Sequence, residues 1–163
     1  MKTIMAIDPA KVSGVAVFGS RVCKAVCTLI VKPRGAKGAY YAGNTVAESR
    51  LKAWQIIYDL FSPEAVIIER GFGGMATAVR AQGKQIGWHE CMCAERGIPL
   101  IEVNVAEWRR VIKEDQGVSW PRDSKRCKAL SVKLARDIYG MDVTPDEADA
   151  LLMGRAALRM GLV

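Results

Sequence analysis

Along the chain, short unbroken apolar runs alternate with longer stretches in which apolar positions recur every three to four residues. Lys2–Asp8 (KTIMAID) is almost continuously apolar and ends in an acid, the pattern of a central strand buried on both faces. Gly14–Phe18 and Val22–Val31 read as two further strands, with a turn signal at Gly19-Ser20. A basic, glycine-rich loop follows at residues 32–38 (KPRGAKG). From Thr45 to Phe61 the positions Val46, Ala53, Trp54, Ile57 and Leu60 take helical spacing, and Ser62-Pro63 stops it. Ala65–Glu69 (AVIIE) repeats the first pattern, a buried strand ending in an acid, and runs into a loop rich in glycine at 71–74. A long helix is predicted from Ala76 to Arg96, then a strand at Pro99–Val103 and a short helix at Val105–Lys113. Polar residues 114–121 read as a loop before a basic helix, Ser124–Tyr139, which Gly140 ends. Thr144-Pro145-Asp146-Glu147 opens a last helix, with Thr144 as N-cap and Glu147 at the reciprocal capping position. This mixed order predicts a sheet flanked by helices, in one α/β domain spanning 1–163.

Charge adds a direction to this picture. The net charge of +7 arises in residues 1–54, with nine Lys/Arg and two acids, while charges in the rest of the chain balance. A basic N-terminal third suits a polyanionic partner, because neutralising phosphates releases counterions, although a solvated basic face would look the same. Asp8, Pro9 and Lys11 interrupt the apolar N-terminus too early for a membrane span or a signal peptide, which suggests a cytosolic protein. The five cysteines, an odd number, fit reduced thiols in such a compartment. His89, Cys91 and Cys93 invite a zinc reading, but on a helix Cys91 would point away from His89. Small buried hydrophobes account better for the thiols, and a structural role for His89.

The acids carry the candidate chemistry. Asp8 and Glu69 each close an apolar strand; if those strands are parallel neighbours, both side chains emerge at one sheet edge. Asp146 and Asp149 stand three apart at a helix start and share a face. Taken singly, Asp146 can be a partner of the helix dipole, Asp149 a surface residue and Asp8 a turn cap. Taken together they form a convergent carboxylate set, whose mutual repulsion a hard cation such as Mg²⁺ relieves. Metals about 4 Å apart can activate water and stabilise the leaving oxygen of a phosphodiester.

Residues 4–17 (IMAIDPAKVSGVAV), 65–72 (AVIIERGF) and 145–151 (PDEADAL) resemble, in order and spacing, the three catalytic motifs of RuvC-type Holliday junction resolvases. Residues 81–87 (AQGKQIG) resemble the family's glycine-containing helical segment, and Ser124-Lys125-Arg126 the start of its basic helix. The resemblance spans nearly the whole chain. It implies an RNase H-like fold with a five-stranded mixed sheet, acting as a homodimer on four-way DNA junctions. It implies further that Asp8, Glu69, Asp146 and Asp149 bind a pair of Mg²⁺ or Mn²⁺ ions, and that each subunit cuts one strand to leave 5′-phosphate and 3′-hydroxyl ends. Phe72 matches a family aromatic that stacks on bases near the opened crossover, as aromatic side chains do on unpaired bases of any sequence. Lys125 matches an active-site lysine, with Lys128 or Arg122 as alternatives and Lys128 otherwise a DNA contact. Where the family has another lysine this chain offers Arg109, Arg110 and Lys113, and arginine gives up a proton less readily.

Two loops look individual to this chain, and from its basic residues Lys32, Arg34 and Lys37 are expected to grip phosphates without reading bases. Gly83 and Gly87, four apart on the long helix, allow close approach of a second copy, or else of the chain's own sheet. Sugar kinases and actin-like ATPases also begin with an apolar strand, an acid and a glycine, but 163 residues leave no room for their two lobes. A nuclease for flaps or forks and a non-catalytic junction-binding module remain alternatives. The sequence is silent on cleavage preference and on any helicase partner.

Overall fold

Alternating side-chain directions along continuously buried strands sort this molecule into two layers around its sheet. The computed structural model describes residues 2–9, 12–19, 22–30, 46–70 and 76–163. β1 (Thr3–Asp8), β2 (Val12–Gly19) and β3 (Val22–Ile30) are followed by α1 (Val46–Phe61), β4 (Ala65–Arg70), α2 (Ala76–Arg96) and β5 (Leu100–Asn104). Three helices complete the chain: α3 (Val105–Gln116), α4 (Ser124–Tyr139) and α5 (Pro145–Met160). The strands form a five-stranded mixed sheet in the order β3-β2-β1-β4-β5. β1 pairs antiparallel with β2 and parallel with β4, and β4 pairs parallel with β5. The apolar runs of β1 and β4 are accordingly central and buried on both faces.

Because successive strand residues point to opposite faces, Ile4, Ala6, Ala16, Phe18 and Ile67 join one core with Trp108, Ile112, Leu134 and Leu151 of α3, α4 and α5. Met5, Ile7, Val15, Val17, Val66 and Ile68 join another with Trp54 and Tyr58 of α1 and Met92 and Cys93 of α2. Asp8 and Glu69 continue the first set, so both belong to the face that α5 covers.

Two glycines let α5 lie close on that face. A Cβ at Gly14, which pairs with Asp8 across β1 and β2, would come 2.0 Å from the carbonyl oxygen of Asp146. A Cβ at Gly154 would come 2.3 Å from Cε2 of Phe18. The start of α5 is fixed as its sequence predicts: the Thr144 side chain accepts from the Glu147 N–H, and Glu147 accepts from the Thr144 N–H. Thr28 of β3 also donates to Glu147, tying the sheet edge to this turn.

One helix boundary differs from expectation. α3 runs to Gln116 rather than ending near Lys113, because its polar last turn is held from outside. Arg110 pairs with Glu114 at 3.1 Å, and Asp115 accepts from Arg155 and Arg159 of α5 at 2.7 and 2.8 Å. Gly117, in the left-handed conformation with φ of 63°, then ends the helix. Among the described residues no helix is long and apolar enough to cross a membrane.

Candidate active site

Parallel pairing of β1 with β4 sets Ile7 beside Ile68, so one step further along each strand Asp8 and Glu69 leave the sheet side by side. From above, the first two turns of α5 bring Asp146 and Asp149 to the same edge. Asp8 and Asp149 are buried, while Glu69 and Asp146 are partly open. Burial pushes the Asp8 carboxyl up to about 8, and the charges of Glu69, Asp149 and Asp146 push the same way against the opposing pull of Lys128. Glu69 and Asp149 are raised as well, first by burial. The four acids therefore share one electrostatic environment.

Three of them hold a partner from the chain itself. Lys128 donates to Oδ1 of Asp146, and its ammonium is held protonated by Asp146, Asp149 and Asp8 despite partial burial. Ser131, one turn further along α4, donates to Oδ1 of Asp149. The indole N–H of Trp108 donates to Oε2 of Glu69 at 3.0 Å. These bonds hold the acids on separate tethers, and among the described residues no three His, Cys, Asp or Glu side chains are arranged as a ready ligand set. In chemistry the donors suit a hard divalent cation. They are oxygen donors only, crowded and partly desolvated, as the upward shift of Asp8 by burial and then by like charge reflects.

RuvC of Thermus thermophilus in complex with Holliday junction substrate superposes with a TM-score of 0.70 at 18% identity, over 99% of this chain and 97% of that one. The yeast mitochondrial Holliday junction resolvase Ydc2 gives 0.60 at 12% identity, over 96% and 78%. The fowlpox virus resolvase, in complex with its substrate Holliday junction DNA, gives 0.57 at 12% identity, over 96% and 98%. The fold is that of the RuvC-type resolvases. No protein-family model and no curated relative matches the sequence.

On this RuvC-type fold the carboxylates Asp8, Glu69, Asp146 and Asp149 gather as the sequence suggested. The lysine among them is Lys128, whereas Lys125 lies nearly one helical turn earlier on an exposed position of α4. Both lysines line a shallow cavity of about 610 Å³ with Ser124, Ala129, Val132 and Pro145. Arg122 is exposed. Of the three cations on α3, Arg109 is the one whose charge reaches Glu69 and Asp149, while Arg110 is engaged with Glu114. Phe72, Lys32, Arg34 and Lys37 lie outside the described residues.

Ser131 and Trp108 escaped the sequence reading. Ser131 carried a usable signal, since it stands three residues after Lys128 on one helix face. Trp108 carried none, because a tryptophan on the apolar side of an amphipathic helix reads as core. His89 does not join the site. It is fully buried on the other face of the sheet, with Nδ1 3.0 Å from the Tyr58 hydroxyl and its ring edge-on to Trp54. Cys91 is exposed and turned away from it, and Cys93 contacts Tyr58 instead. Nor do the two glycines of α2 meet the sheet: among the described residues a Cβ at Gly83 would find nothing within 4 Å, and one at Gly87 only the tip of Glu90.

Proposed function

We propose that this chain, as a single nuclease domain over residues 1–163, is a metal-dependent endonuclease that resolves four-way DNA junctions. The observation that carries the reading is the convergence of Asp8, Glu69, Asp146 and Asp149 at one sheet edge, with Asp8 driven to about 8 by burial and like charge. A fold shared with resolvases adds to it, two of them captured with Holliday junction DNA. Asp8, Glu69, Asp146 and Asp149 would hold the Mg²⁺ or Mn²⁺, as a pair in each subunit; bound there, such ions supply an activated water and charge relief for the leaving oxygen. Lys128, partly exposed beside the acids, would meet the scissile phosphate or give a proton to the departing 3′ oxygen, leaving a 5′-phosphate. Ser131 keeps one oxygen of Asp149 occupied and so limits the orientations of that carboxylate.

DNA would be held by Lys32, Arg34 and Lys37 on phosphate and by Phe72 stacked on an unpaired base near the crossover. Two symmetric cuts need two sites, so the active form is a homodimer. Support for α2 in its surface comes from Gly83 and Gly87 on its open side and from exposed Val79 on the same helix.

The test compares a four-way junction, a flap, a fork and a linear duplex, each with Mg²⁺ and with chelator. Paired nicks in the junction, dependent on Mg²⁺ and absent from duplex, support the proposal. Preferential cutting of flaps or forks would replace the junction with another branched substrate. Junction binding without any cutting in Mg²⁺ or Mn²⁺ would make the chain a binding module and overturn it.

A further inference from the structure

Among the described residues, Glu69 is the one acid of the four that accepts a hydrogen bond from α3, and that donor is itself braced on two sides. Trp108 is fully buried, yet its indole N–H is not spent on a backbone carbonyl in the core but reaches Oε2 of Glu69 at 3.0 Å. Its ring meets Trp120 edge to face at a centroid separation of 5.5 Å. Trp120 in turn donates its own indole N–H to the carbonyl oxygen of Arg109, at 2.8 Å. The Arg109 guanidinium lies over both rings, 5.2 Å from the Trp108 centroid and 4.9 Å from that of Trp120. The segment after α3 is thereby folded back onto the helix, with Trp120 and Arg109 both against the Trp108 ring.

We propose that Trp108 is a positioning residue for Glu69, held by a Trp120–Arg109 clamp, so that one carboxylate oxygen is fixed and the other is aimed at the cation site. This rests on the nuclease reading for the identity of the cation, but the coupling between Trp108 and Glu69 does not. The physical reason for such a device lies in chain position. Glu69 is the penultimate residue of β4, near the end of its pairing with β5, where the sheet edge leaves the side chain partly open. Its side chain is also longer by one rotatable bond than those of the aspartates. A carboxylate with that freedom gains most from a rigid neutral donor that holds it without neutralising it.

The experiment uses the full chain and the substitution Trp108→Phe, which keeps an aromatic ring in the core and removes the N–H. In a ¹H–¹⁵N spectrum of the wild type, the indole signal lost in Trp108→Phe belongs to Trp108. Glu69→Gln should move that signal and leave those of Trp54 and Trp88 in place, and Mn²⁺ affinity by calorimetry should fall about tenfold in Trp108→Phe. Metal-free binding of a four-way junction should be unchanged, separating positioning from general damage. Trp120→Phe, which loosens the clamp while sparing the bond to Glu69, should lower Mn²⁺ affinity less. A Trp108 signal indifferent to Glu69→Gln would overturn the proposal, as would wild-type Mn²⁺ affinity in Trp108→Phe. A wild-type chain that binds no Mn²⁺, with a Trp108 signal that still follows Glu69, would overturn the nuclease reading and support the coupling.

Discussion

On the α3–α5 face of the sheet, Asp8 lies buried beside three further carboxylates and titrates upward to about 8. On the α1–α2 face, His89 lies equally buried among Trp54, Tyr58 and Cys93 and titrates downward to about 3. Both shifts begin with burial, which disfavours whichever form is charged. Their consequences differ. His89 becomes neutral and is finished: it takes the Tyr58 hydroxyl on Nδ1 and presents its ring to Trp54, and only Nε2 is left without a partner. The carboxylates cannot be finished in that way, because Glu69, Asp149 and Asp146 add like charge to the burial that already raises Asp8, and among the described residues Lys128 is the cation that opposes it there. Burial alone therefore marks a core residue, whereas crowded like charge is the setting in which the proposed cation would relieve repulsion.

The sharpest way to break this contrast is to remove one carboxylate charge. Asp8→Asn and Asp149→Asn should each lower junction cleavage by more than about a hundredfold, beyond what loss of an outer partner costs, while gel-shift binding survives. Cleavage at wild-type rate in either variant would reduce these acids to solvated residues. Next comes the lysine. Lys128→Ala should slow cleavage by about tenfold or more, and Lys125→Ala by no more than about twofold, since only Lys128 touches a carboxylate. Equal losses in single-turnover rates would return the two lysines to parity.

Packing sharpens the contrast from another side. Gly14→Ala drives a methyl into the Asp146 carbonyl, so it should cost about 3 kcal/mol in denaturant unfolding and shift α5 with its acids. Stability within 0.5 kcal/mol of wild type, about the effect of an ordinary surface change, would mean that α5 moves freely on the sheet. The smallest effect is expected on the far face. Folded His89 resists protonation down to about 3, while the unfolded chain takes up the proton at 6.5, so the stability from neutral His89 is complete above 6.5. It is lost as pH falls, by about 2 kcal/mol at pH 5. The loss should disappear in His89→Leu, and that variant should cleave junctions normally.

Much of this was legible in the sequence because the signals were local. The continuous apolar runs of β1 and β4 announced central strands, and their terminal acids announced the sheet edge. Thr144-Pro145-Asp146-Glu147 announced the start of α5 to the residue. What stayed hidden depended on contacts between distant segments. The last turn of α3 looked like loop because its support, Arg155 and Arg159, comes from α5. Lys125 and Lys128 both lie on the basic helix, and only the angle at which α4 crosses α5 decides which ammonium reaches Asp146. Gly14 was visible as a motif glycine, but its reason, the 2.0 Å approach to Asp146, belongs to the packed structure.

If the four acids of the α5 face form a cation site, calorimetric titration of the DNA-free chain with Mn²⁺ reads it without any catalytic step. Binding should be saturable, lost in Asp8→Asn and Asp149→Asn and kept in His89→Leu. Mn²⁺ should also stabilise the wild type, by about 2.7 kcal/mol at a hundredfold excess over Kd. Wild-type protein that shows neither saturable binding nor stabilisation, or an Asp8→Asn variant that binds as tightly, would contradict the proposed site.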